Sequence, residues 1–222
     1  MTLFLIVIHH ELILSLKNCG RIIANFLFFL ISLFIFFFIS GDVSNHGFAA
    51  INQVSVIFLI LLFSLTFFTL DFLKAEFDDG SLEQVIITCE NFEIFVLAKM
   101  LGNWVLYALP LVFISALILS LGNFPNLTHF VVILLLVSLI MNFICAFCGS
   151  ISMLGNIAPL LAVIAFPLVI PTLIIASGDI SVAAEEAHEI FFSQLKMLGG
   201  LVVLSGSIAT IAITKITKIA LE

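Results

Sequence analysis

Charge is what this sequence has least of. Of its 222 residues, seven are Lys or Arg and fourteen are Asp or Glu, so charged side chains make up 9%. A soluble domain carries roughly 25%. Hydrophobic residues reach 63%, with 25 Phe among them. One soluble core of this length cannot hide that much apolar surface, which excludes a soluble enzyme and leaves an integral membrane protein. Other absences narrow the role. No G-x-x-x-x-G-K-S/T occurs, so the chain has no phosphate-cradling loop for ATP. No cleavable signal peptide is expected: the apolar patch Leu3 to Ile8 is short, and His9, His10, Glu11 and Lys17 follow it without a small-residue cleavage site. No charged residue falls in the middle of an apolar run, which argues against an ion-coupled transporter. The four cysteines make no disulfide framework. Cys145 and Cys148 form a C-x-x-C inside an apolar run with no basic neighbour to generate thiolates, so they are read as packing.

What is present is a series of long apolar runs. A membrane span needs about 20 mainly apolar residues, and six stretches qualify: 22–40, 49–73, 96–121, 129–153, 157–177 and 195–217. They are continuously apolar rather than alternating, so an all-α integral membrane fold is expected and a β-barrel is not. Residues 1–21 read as an amphipathic helix on the membrane surface, with Leu3, Ile6, Val7, Leu12, Ile13 and Leu16 on its apolar face. Lys17, Arg21, Lys74, Lys99, Lys215 and Lys218 all collect on one side of a six-span topology, and Lys196 alone lies opposite. The positive-inside rule then makes both termini cytosolic. Cys19 and Cys89 fall on that reducing side. The whole chain, 1–222, is read as one transmembrane domain.

One water-loving segment interrupts this pattern, at 74–95 between the second and third runs. It contains "EFDDGSLEQV", Glu76 to Val85. Lys74 to Asp79 reads as a continuation of the second span, broken at Gly80. Ser81 followed by Gln84 fits a capping box, so a short helix should start at Ser81. Glu83 in its first turn suits the positive end of the helix dipole. Leu82, Val85 and Ile86, with Phe92 beyond, supply an apolar face. A short amphipathic helix between two spans suits docking of a partner; as a bland alternative, it is a solvated loop.

"DDGSLEQVI" followed by "VLAKMLGNW" (Val96 to Trp104) resembles the ABC-2 class of ABC-transporter permeases, and within it the cytochrome c maturation protein B family, the CcmB haem exporter permeases. "LPLVFISALILSLG" (Leu109 to Gly122) and "FPLVIPTLIIASGD" (Phe166 to Asp179) are similar to family segments. Where family members tend to carry prolines after the short helix, this chain reads "TCENFE" (Thr88 to Glu93). The resemblance implies a non-catalytic permease subunit in a bacterial inner membrane, with a mitochondrial inner membrane as the alternative. It implies a separate CcmA-like ATPase docking on Asp79, Gly80, Ser81, Leu82, Glu83, Val85 and Ile86. It also implies two copies of each subunit and association with CcmC-like and CcmD-like proteins. Haem is then the transported substrate, or the cargo of a chaperone released by ATP; no cofactor is expected on this chain. Export of a lipid, glycan or drug, and a membrane scaffold without transport, are the rival functions. No nucleic-acid partner is expected.

Several other residues carry expectations. Pro167 and Pro171 each remove a backbone donor from the fifth run, which should bend or unwind there, either as a kink that only shapes packing or as a hinge of the transport cycle; Pro110 is a weaker case. None of His9, His10, His46, His129 and His188 is assigned as a haem or metal ligand. His188 with Glu185 and Glu189 reads as a solvated acidic face. Asn103 and Asn142 are read as hydrogen-bond glue between spans. Gly199, Gly200, Ser205, Gly206 and Ala209 offer a small-residue surface for close helix contact, including a dimer face.

Overall fold

The computed structural model describes residues 19–40, 48–69, 72–89, 91–121, 127–155, 158–176 and 187–221. The surface helix expected over 1–21 lies outside these residues but for its last three. His9, His10, His46 and Glu185 lie outside too, as do the side chains of His188 and Glu189.

Regular structure among the described residues is helical throughout. It comprises α1 (Cys19–Ser40), α2 (Phe48–Thr69), α3 (Lys74–Asp78), α4 (Ser81–Thr88), α5 (Phe92–Asn103), a π-helical turn (Trp104–Ala108), α6 (Leu109–Leu121), α7 (Leu127–Ile151), α8 (Ala158–Ala176) and α9 (Ala187–Leu221). Each of the six apolar runs is thus helical. Among the described residues, three helical stretches are long and apolar enough to cross a membrane: Phe92–Ser120, Leu127–Leu154 and Phe191–Leu221. The apolar stretches Ile22–Phe36, Ser55–Thr66 and Val163–Ala176 are shorter.

Helix α7 is the axis of the bundle. It packs against α2, α5, α6, α8 and α9, and its buried Leu134, Val137 and Met141 join Phe29 and Leu33 of α1, Leu61 and Leu65 of α2, and Val169 of α8 in one core. Many buried hydroxyls do not disturb the bundle, because they bond to their own helix. Thr210, Thr214 and Thr217 donate to the carbonyls of Gly206, Thr210 and Ile213 at 2.7–2.8 Å, so no donor is left bare in an apolar setting. Between α1 and α2 the Ser64 hydroxyl donates to Asn25 Oδ1.

The second run departs from the sequence reading, and in the fifth only the unwinding is absent. The second run was expected to continue to residue 73 and on into Asp79. Instead α2 ends at Thr69, and the chain turns through buried Phe72 and Leu73, with Phe72 N–H donating to Thr69 O at 3.1 Å. The reason lies on α7. A Cβ at Gly149 would sit 2.0 Å from Thr69 O, so the glycine lets the end of α2 press its backbone onto α7 and the chain turns there. In the fifth run, α8 stays helical through both Pro167 and Pro171 and does not unwind. The irregularity falls elsewhere, in the π turn before Pro110. Proline lacks an N–H and its ring crowds the carbonyl four residues back, Leu106, which lies inside that wider turn.

Candidate functional site

The segment between α2 and α5 folds as a two-helix elbow. Gly80 ends α3 in the left-handed region at φ 71°, a conformation that costs any residue with a Cβ. Across this joint the Ser81 hydroxyl donates back to Glu76 O at 3.3 Å. That corrects the expected capping box: Gly80 occupies the cap position, Ser81 is the first helical residue, and its side chain makes no cap bond.

The two faces of α4 differ sharply. Leu82 is 0% exposed. It joins Phe72, Leu73, Phe92, Phe95, Val96, Met100, Phe143 and Ile213 in a second core, with Val85 and Ile86 packed against its edge. The apolar face expected to meet a partner is therefore largely spent inside this chain. On the other face Glu83, Gln84 and Thr88 are exposed, and Ile87 is 84% exposed. Asp78, Asp79 and Gly80 extend that surface, which is acidic around one projecting isoleucine. Ile87 closes the stretch Asp79 to Ile87 on which docking is expected, and its spacing from Glu83 and Gln84 places it on their face.

Beneath the elbow sits a charge that sequence reasoning treated only as a flanking lysine. Lys99 on α5 is 4% exposed, and its Nζ is ion-paired with Glu76 Oε1 on α3. One turn further along, Asn142 of α7 donates through Nδ2 to Met100 O at 2.9 Å and accepts from Asn103 Nδ2 at 3.4 Å. Trp104 Nε1 donates to Ser138 Oγ at 3.0 Å. Asn103 and Asn142 thus act as interhelical glue, tying α5 to α7 just before the π turn.

The remaining expectations sort as follows. Cys145 and Cys148 are buried free thiols, with Cys145 Sγ 3.7 Å from Thr66 Oγ1. Gly206 and Ala209 face inward: a Cβ at Gly206 would lie 3.1 Å from the Phe143 ring. At Gly199 and Gly200 a Cβ would meet nothing within 4 Å. The His129 ring stacks on Phe191 with centroids 4.2 Å apart. No group of three metal-capable side chains occurs among the described residues. An apolar cavity of about 240 Å³ opens between α7, α8 and α9, lined by Ile144, Phe147, Pro171, Thr172, Leu201 and Ser205 among others.

This arrangement presents one seated surface beside long apolar helices. Comparison with known proteins gives the same direction. The chain is 28% identical over 225 residues to "Heme exporter protein B" of Haemophilus influenzae, covering 99% of each chain. It is 28% identical over 134 residues to the protein of that name from Pseudomonas aeruginosa, covering 56% of this chain and 59% of that one. The model of the family described as CcmB protein matches residues 2–220, and over that extent the chain belongs to the CcmB family.

Proposed function

We infer that this chain is the membrane permease subunit of a haem-export complex serving cytochrome c maturation, driven by a separate ATPase. The observation that carries the reading is the exposed face of α4. A helix seated in the core on one side and bare on the other, between two apolar helices, has the form of a coupling helix. The ATPase groove it fits has an apolar pocket for Ile87 and a basic rim for Asp78, Asp79 and Glu83. Of the residues first assigned to docking, Asp79, Gly80 and Glu83 lie on this surface. Ser81, Leu82, Val85 and Ile86 serve it from behind by fixing the helix.

The proposed topology has six spans with both ends of the chain in the cytosol of a bacterial cell, in its inner membrane. Helices α1 and α2, of 22 residues each, would extend about 33 Å at 1.5 Å per residue, and the 19-residue α8 about 28 Å; a hydrocarbon core is about 30 Å thick. The basic residues Lys74, Lys215 and Lys218 support the orientation. Two copies would assemble with two ATPases of the CcmA kind, beside CcmC-like and CcmD-like proteins, with haem as substrate. ATP-driven closure of the ATPases would push the elbow, and α8 would yield at Pro167 and Pro171 beside its cavity. The test is to purify the complex with its ATPase and haem-loaded, then add ATP. Haem leaving in step with hydrolysis supports the reading. Hydrolysis that leaves haem in place, or that is indifferent to removal of this subunit, overturns it.

A further inference from the structure

The elbow meets α5 through a buried charge, Lys99, and stability alone gives no reason for it. Taking a lysine ammonium out of water is costly, and a buried ion pair seldom outperforms apolar side chains of the same size. Leu82, Phe72 and Leu73 already fasten the elbow by apolar contact. An ion pair differs from such contact in being directional: it holds two atoms together while packed methyl groups can slide.

Glu76 is placed to use that property. Its carboxylate holds Lys99 of α5, while its backbone carbonyl accepts from Ser81 at the start of α4. One residue therefore joins α3, α4 and α5, spanning the flexible joint at Gly80. On the other side of Lys99, Met100 O is held by Asn142, and α5 then passes into the π turn Trp104–Ala108. Such turns are points where a helix changes direction or register. From the exposed face of α4 a continuous path thus runs through Ser81, Glu76 and Lys99 to a hinge within the helix.

We propose that Lys99 is a positioning residue for transmission: its ion pair with Glu76 makes the elbow and the lower part of α5 one lever, so that force on α4 reaches the π turn. This rests on the coupling-helix reading above. Removing one partner strands a charge and risks misfolding, so the decisive variant removes both, Glu76→Leu with Lys99→Met. The complex is purified with its ATPase, and ATP hydrolysis is measured beside c-type cytochrome formed in cells. The double variant is expected to reach wild-type abundance, retain its ATPase and hydrolyse ATP, while cytochrome yield falls by about tenfold. Lys99→Arg, which keeps the pair, should stay within about twofold of wild type, and the exchange of both charges, Glu76→Lys with Lys99→Glu, should recover most of the yield. Wild-type cytochrome yield from the double apolar variant overturns the proposal, as does loss of the ATPase from that complex, which would make the pair part of the docking surface. Failure of the underlying reading looks different: Ile87→Asp would then keep its ATPase.

Discussion

The elbow of α3 and α4 and the proline-bearing helix α8 are held in opposite ways. The elbow is the polar part of the chain, yet a backbone approach at Gly149, the Glu76–Lys99 ion pair and the burial of Leu82 all fix it. Helix α8 has one polar residue, Thr172, yet among its described side chains it buries one narrow stripe, Ala165, Val169, Thr172 and Ala176. Its Val163, Leu168, Ile170 and Ile174 are exposed, and the cavity lies along its flank at Pro171. Polarity is therefore a poor guide to burial in this molecule. The segment that meets water is anchored in the core, suited to receiving a push, while the apolar α8 keeps much of its surface outside the core.

The largest effect should come from attacking the anchored elbow. Leu82→Asp removes a leucine burial worth about 1.5–3 kcal/mol and strands a carboxylate in the core at further cost. The chain's abundance in membranes should fall several-fold by quantitative immunoblot; normal abundance would mean that the elbow is not anchored as described. Next is Gly149→Ala, whose Cβ collides with Thr69 O. Overpacking of this kind costs about 1–3 kcal/mol, read as a lower midpoint of thermal unfolding in detergent. An unchanged midpoint would show that α2 does not press on α7.

Helix α8 should respond differently. Pro171→Ala restores a backbone donor to α8 and should leave thermal stability equal or higher while lowering cytochrome yield, because the hinge stiffens. Undiminished yield at equal abundance would remove Pro171 from the cycle. Smallest of all is the pair Gly199→Ala with Gly200→Ala. Neither new methyl meets an atom of this chain, and glycine in a helix is about 0.5–1 kcal/mol worse than alanine, so stability should rise slightly. Crosslinking in native membranes reads the rest: loss of a homodimer in this variant places the second copy on that face of α9, and its retention places it elsewhere.

The helical character of the apolar runs and the break at Gly80 were legible in the sequence because they depend on local features, namely the length of apolar runs and the backbone freedom of one glycine. The burial of Leu82 was not legible. Periodicity identifies the apolar side of a short helix but not what covers it, and here the cover comes from α5, α7 and α9. Glu76 and Lys99 lie on different helices, so no local pattern marks them as partners. The end of α2 at Thr69 depends on Gly149 of a helix far along the chain. Ser81 failed as a cap for a local reason: Gly80 already takes the cap position, which frees the hydroxyl for Glu76 O. The π turn was within reach of reasoning, since Pro110 marks the crowded carbonyl.

The central claim is that the bare side of α4, and not its apolar side, receives the ATPase. Ile87→Asp tests it most directly, since this side chain is exposed on the described surface. Burying an isoleucine in a partner's pocket is worth about 1.5–3 kcal/mol, or roughly a ten- to hundredfold change in affinity. The variant should accumulate in membranes at wild-type level and lose its ATPase on co-purification, and with it c-type cytochrome formation. An Ile87→Asp chain that keeps the ATPase at wild-type stoichiometry would contradict the account.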